Sequence, residues 1–184
     1  MEDPGGVPEG YELRPMRRDD YRKGIVELMG QLTDVGALSE ERFVAVFDSR
    51  EQGRAYQTVV VEHIDSQRLA ATATLLIEEK FVHGGASVGH VEDVVVCAVH
   101  RSKGLARLML AALAEHARHA GCYKVILDCN EKNVGMYERC GYRRCEVQMR
   151  LDVPSVPSPH AAPEALAAAE AEVSFGGTGE TGGT

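Results

Sequence analysis

The chain has 184 residues and a formal charge of -8, enough for one domain with a real core and too few for two comfortable ones. That charge speaks against a general nucleic-acid binder, and half of it comes from a tail in which Glu164, Glu170, Glu172 and Glu180 have no basic partner. The cysteines, Cys97, Cys122, Cys129, Cys140 and Cys145, form no C-x-x-C, and no apolar run approaches the length of a membrane span; the expectation is a reduced cytoplasmic setting, no metal and no membrane span.

MEDPGGVPEG opens the chain as an acidic, Gly- and Pro-rich lead, expected to be disordered over residues 1 to 9. YELRPM (11 to 16) predicts a short strand stopped by Pro15, after which Asp19 or Asp20 can cap a helix running to about Leu32. SEERFVAVFDSR (39 to 50) predicts a second helix, with Ser39 as cap and Phe43, Val46 and Phe47 on one face. YQTVVVEHI and LAATATLLIEEKFVH, joined by the polar IDSQR, predict an antiparallel hairpin.

HVEDVVVCAV (90 to 99) is the next strand, and its Val94, Val95, Val96 run suggests burial on both faces. GLARLMLAALAEHARHAG (104 to 121) follows as a helix that buries Leu105, Leu108, Met109 and Ala112 and ends at Gly121. YKVILDC (123 to 129) then gives a strand, helix, strand crossover and so a parallel pair. NVGMYERCG (133 to 141) predicts a short helix capped by Asn133, and YRRCEVQMRLDV (142 to 153) a final strand. The fold class is thus α/β in the α+β sense: a mixed, mostly antiparallel sheet with one parallel pair, flanked by helices, over residues 10 to 153. Residues 154 to 184 turn to Pro, Ala, Gly and Glu and cannot bury enough apolar surface to offset their ordering entropy.

One stretch stands out chemically. HRSKGLARLML (100 to 110) links a buried strand to a strongly predicted helix, yet it is neither a P-loop nor a G-x-G-x-x-G turn. A helix N-terminus offers unpaired N–H groups, Gly104 allows close approach, small Ala106 does not obstruct, and Arg101, Lys103 and Arg107 attract an anion. A pyrophosphate suits this design. Solvated turn cations and a glycine that merely bends the chain are the competing reading.

The surroundings favour the ligand. R-x-x-G-x-A between a Val-rich strand and an amphipathic helix, followed by strand, Asn-capped helix and Tyr, resembles the acetyl-coenzyme A site of the GNAT superfamily of N-acetyltransferases. QLTDVG (31 to 36), EEKFVHGGASVGHVEDVVV (78 to 96), GCYKVILDCNEKNVGMYERCGY (121 to 142) and EVQM (146 to 149) resemble one member family, the glucosamine-6-phosphate N-acetyltransferases, over about residues 10 to 151. That resemblance implies a homodimer with two active sites near the subunit interface, and a place in making UDP-N-acetylglucosamine.

Acetyl transfer from a thioester to an amine needs a neutral amine, a held carbonyl, a donor to its oxyanion and a proton for the thiolate. By resemblance, the cofactor lies along Val94, Val95 and Val96, with the Val94 N–H aimed at the acetyl oxygen, and on Arg101, Ser102, Lys103, Gly104, Leu105, Ala106 and Arg107, with Asn133 and Tyr137 facing it. Glu92 and Asp93 are the candidate bases; neighbours on a strand, they face opposite sides unless a bulge intervenes. The resemblance also puts Asp128 near the amine and the Tyr137 phenol at the leaving thiolate, where a core tyrosine is the plain alternative. It implies acceptor contacts at Thr33, at Lys80, Phe81, Val82 and His83, and at Tyr123 and Lys124. The family carries a basic residue near the end of its last strand; here Arg150 stands two positions early and Asp152 where that charge is expected. Cys97 and Cys129 flank the site and read as packing, since no histidine is spaced to activate them. Another small amine or a protein amine as acceptor, and a silent acetyl-CoA sensor, are the rival readings.

Overall fold

The computed structural model describes residues 6–153. Its contacts divide the chain into Met1–Cys145 and Glu146–Thr184. The expected tail, 154 to 184, and the first five residues of the lead lie outside the described residues.

Five strands form one sheet in sequence order: β1 (Tyr11–Pro15), β2 (Tyr56–His63), β3 (Arg68–Glu79), β4 (Ser87–Val96) and β5 (Cys122–Ile126). The first three pairings are antiparallel, and β4 with β5 is parallel. Both faces are covered, which is why β2 carries an unbroken Val59, Val60, Val61 run. Helix α1 (Ile25–Met29) and helix α2 (Glu40–Gly53) lie on the face of Val60, Leu69 and Val95. Helix α3 (Leu105–His119) takes the other, burying Leu105, Met109, Leu110 and Leu113 against Val61, Ala71, Leu75 and Val91. The last helix, α4 (Val134–Arg139), adds Tyr137 to that second core.

Two predicted elements differ. The helix expected from Asp19 or Asp20 to Leu32 is broken into a 3-10 turn, Arg18–Tyr21, and the five-residue α1. Gly24 stands between them at φ 91, and a side chain there would collide with the Arg68 guanidinium. Asp20 is no simple cap. It is fully buried, and its two oxygens accept from Arg14 at 2.6 and 2.9 Å. Arg14 also reaches Glu62, and Lys23 donates to both Glu62 oxygens at 2.7 and 2.8 Å. Buried charge is tolerable only when paired in this way.

The final strand expected at 142 to 153 does not form: none of these residues is in a strand, and Val147, Met149, Leu151 and Val153 are exposed. A lone alternating segment has no ladder to satisfy its backbone, so pattern alone does not make it a strand. Smaller differences are at the ends. β4 stops at Val96 and Ala98–His100 turns as 3-10, while Asn133 has helical φ and ψ and makes no side-chain cap on α4.

Candidate active site

β4 and β5 are paired only from Ser87 to His90, against Cys122 to Ile126. β4 then runs on to Val96 while β5 ends, so the outer edge of β4 beyond His90 pairs with no strand among the described residues and is the candidate slot. Extended backbone with unpaired N–H and C=O groups is a template for an amide-bearing chain. Of the predicted Val94 to Val96 burial, only Val95 is fully covered; Val94 and Val96 stay half-buried beside the slot.

The slot leads to the turn before α3. Gly104 is at φ 79 and Ser102 at φ 63, and no side chain caps the helix. The N–H groups of Leu105 and Ala106 precede the first full turn and have no partner within the helix. Arg101, Ser102, Lys103 and Gly104 are exposed. Two of the three cations are less free than the sequence suggested: Arg101 Nε donates to Val96 O at 3.2 Å, and Lys103 Nζ donates to Tyr11 Oη at 2.8 Å. Arg107 sits close enough to α4 to pull the Cys140 thiol down against its burial, which raises it overall. Thus the C-terminal end of α4 borders the start of α3, and Tyr137 packs in one cluster with Leu105. Tyr137 is buried, its phenol pushed up by desolvation and then by Cys129 and Cys140. Such a phenol stays protonated and can donate to a thiolate. Cys129 is exposed and so is not the packing residue expected; Cys97 is half-buried, with Gln31 Nε2 donating to its sulfur at 3.4 Å.

The carboxylates meet at a bulge. Thr72 is opposite Val95 and Thr74 opposite Glu92, so both Asp93 and Val94 face the single Ala73, with Asp93 at φ 55. This extra residue cancels the alternation that would have set Glu92 and Asp93 on opposite faces. Asp93 lines a cavity of about 280 Å³ between α1, α2 and the sheet, as does Thr33, with Thr58, Thr74 and Arg50 also around it. Glu92 is held above the ordinary carboxylate range, first by desolvation and then by the charges of Asp93 and Asp128, with His90 opposing. Asp128, just beyond β5, therefore belongs to the same centre. A base poised upward beside two other carboxylates is suited to taking a proton from an ammonium and to holding that ammonium beforehand.

The remaining acceptor residues lie elsewhere. Lys124 is level with Val88, four residues before Glu92, or about 13 Å along the strand. His83 stacks on Tyr123 with ring centres 4.3 Å apart, and Lys80 pairs with Glu78 at 2.5 Å. Phe81 and Val82 are exposed beside them. Arg150 is exposed, its Nε 2.7 Å from Asp152, the very residue that stands where a basic group was expected. Among residues that sequence reasoning passed over, Thr58 and Thr74, joined at 3.0 Å, floor the cavity, and His90 bonds Glu78 at 2.9 Å. The two threonines belong to no motif, and His90, although it opens HVEDVVV, carries no role in the sequence reading; the strand register brings out both contacts. Among the described residues no group of three or more His, Cys, Asp or Glu is arranged to hold a metal ion, and no helix is long and apolar enough to cross a membrane.

A slot beside a splayed parallel pair, an uncapped helix N-terminus at its end and a bulged acidic strand define an acyltransferase of one kind. The profile of the acetyltransferase (GNAT) family matches residues 16–142, and the chain belongs to that family. It is an acetyl-CoA-dependent acetyltransferase by fold and descent. Within the family it closely matches glucosamine 6-phosphate N-acetyltransferases. One from Oryza sativa subsp. japonica is 41% identical over 148 residues, 80% of this chain and 90% of the relative. The crystal structure of the Arabidopsis thaliana enzyme is 39% identical, with a TM-score of 0.76, over 78% of this chain and 99% of that one. An acetyltransferase structure from Trypanosoma brucei is 40% identical, with a TM-score of 0.73, at 78% and 99% coverage.

Proposed function

We propose that this chain transfers the acetyl group of acetyl-CoA to the 2-amino group of D-glucosamine 6-phosphate, giving N-acetyl-D-glucosamine 6-phosphate and CoA for UDP-N-acetylglucosamine biosynthesis. The reading is carried by Asp93, which lines one cavity with Thr33 and acts on Glu92 together with Asp128, since these are positions that resemble the family's acceptor motif.

The amine attacks the thioester directly. Its lone pair forms the C–N bond, the carbonyl oxygen gathers charge against the Val94 N–H, and the C–S bond then breaks. The amine gives its proton to Glu92 or Asp93, directly or through water, and the thiolate takes one from Tyr137. The proposal includes no acetyl-enzyme, since no histidine is spaced to activate Cys97 or Cys129.

The working unit in this proposal is a cytoplasmic homodimer. Lys124 lies about 13 Å along the sheet from Glu92, too far to meet an amine held there in its own chain, and a two-fold partner can bring this end of the sheet to the other site. The apolar alternation of Val147, Met149 and Leu151, at 84%, 89% and 87% exposure, supports a partner that covers it.

A thiol-release assay with acetyl-CoA and a panel of amines tests the acceptor. Turnover with glucosamine 6-phosphate is expected; turnover with glucosamine or a peptide amine, and none with the phosphorylated sugar, would move the assignment to another acceptor.

A further inference from the structure

A cluster of polar side chains behind the cofactor turn has no part in the chemistry above. Tyr11 of β1, His63 of β2, and His100 and Lys103 of the turn meet there, although their elements are far apart in the chain. Tyr11 is 8% exposed. Lys103 Nζ donates to its hydroxyl at 2.8 Å and lies 5.2 Å from its ring centre. The same hydroxyl is 2.8 Å from His100 Nδ1.

An ammonium can only donate, so the Tyr11 oxygen accepts from Lys103 and its own proton is free for His100 Nδ1. With the phenol proton directed to Nδ1, His100 carries its own proton on Nε2. Burial, then His63 and Lys103, push His100 below its ordinary value and keep it neutral. The His63 ring lies 5.2 Å from that of Tyr11 and 5.0 Å from that of His100, while its Nδ1 is 2.9 Å from Ser66 Oγ. The phenol is boxed on two sides and bonded at its tip.

One further fact gives the cluster a purpose. Ser102, next to Lys103, is a non-glycine residue at φ 63, a conformation that persists only where surrounding structure supports it. Tying Lys103 to the sheet supplies that support on one side, and the bond from Arg101 to Val96 supplies it on the other.

We propose that Tyr11 and His100 are positioning residues for acetyl-CoA, and that Lys103 is the anchor of the turn rather than a ligand of the pyrophosphate. The bond draws Lys103 away from the anion and holds the backbone from Ser102 to Gly104 in the form that presents the α3 N–H groups. The inference rests on the acetyl-CoA reading of this turn.

Calorimetric titration of CoA into the full chain tests it, at low and at high salt. Tyr11→Phe and Lys103→Met should each weaken CoA roughly fivefold, the size of one lost hydrogen bond. The double variant should be no weaker than either single one, because the two share one bond. The salt dependence should stay that of the parent. His100→Asn keeps an acceptor near Nδ1 and should bind like the parent, whereas His100→Leu should weaken as Tyr11→Phe does. In steady state the KM for acetyl-CoA should rise while that for the amine holds, a split that a general loss of folding would not produce. Parent-like CoA binding by Tyr11→Phe overturns the proposal. So does a Lys103→Met variant that is weaker than Tyr11→Phe and has a flatter salt dependence, which would make Lys103 a direct phosphate ligand. If the unsubstituted protein fails to bind CoA, the acetyl-CoA reading falls as well.

Discussion

The cofactor half and the acceptor half of this site are built in opposite ways. The cofactor half is nearly contiguous: the end of β4, the turn at 97 to 104 and the start of α3 follow one another along the chain, and only α4 joins them later, after β5. The acceptor half is gathered from Thr33 before α2, the bulge in β4, Asp128 after β5 and a cationic group at the far end of the sheet. A contiguous site is complete once its own elements pack; a gathered one depends on distant parts of the fold and, in our proposal, on a second copy of it.

The strongest way to break this contrast is a mixing experiment. Glu92→Gln should lose about a hundredfold to ten-thousandfold in kcat, the usual range for a removed acid or base. Lys124→Ala should raise the KM for the sugar phosphate and leave that for acetyl-CoA in place. Co-refolding the two should restore activity if the cationic end serves the partner's site; a mixture no better than the sum of its parts would confine both halves to one chain.

Next in size is the buried ion network that ties β1 to the 3-10 turn and to β2. Asp20→Ala leaves Arg14 with half its partners in a buried place and should cost about 3–5 kcal/mol, read by urea denaturation. The network should also loosen in acid. Burial works to raise Glu62, but hydrogen bonds from Lys23 and Arg14 outweigh it and lower its carboxyl below 4.5. Its contribution is therefore full above that pH and lost as pH falls through the lowered value.

Tyr137→Phe probes the cofactor half. We expect kcat to fall roughly tenfold to a hundredfold with acetyl-CoA binding nearly unchanged; equal turnover at every pH would remove the phenol from the mechanism. The smallest effect concerns the pH profile. Glu92 works as the carboxylate, so activity falls as pH drops through its raised value. His90→Asn removes the opposing cation and should move that acid limb upward, while Asp93→Asn removes a like charge and should move it downward in whatever activity remains.

Legibility in the sequence followed the same division. The turn at Arg101 to Arg107, helix α3 and the parallel pair were readable, because each is local and periodic, although α3 also buries Leu110 and Leu113 and leaves Ala112 half-buried. The pairing of Glu92 with Asp93 was readable only up to a condition: strand alternation separates them, and the bulge that reunites them shows only in the register of β3 on β4. The single helix expected from Asp19 or Asp20 to Leu32 failed at Gly24, where the reason is the Arg68 side chain from another strand. The final strand failed because alternation in EVQMRL states a preference, and a strand exists only when a neighbour completes its hydrogen bonds.

By itself, then, the sequence determined the order and type of most elements, the glycine turn that opens α3 and the motif that resembles one acetyltransferase family. Helix stripes, β-branched runs and a glycine-opened helix are written over a few neighbouring residues, so a linear reading recovers them. Tertiary structure alone decided that Asp20 is a buried partner of Arg14, that Asp93 and Thr33 share a cavity, that Lys103 is held by Tyr11 and that the cationic end lies about 13 Å from Glu92 along the strand. Each of these is a contact or a separation between distant segments, set by strand register and by which charges must be paired once buried, and no spacing along the chain encodes it.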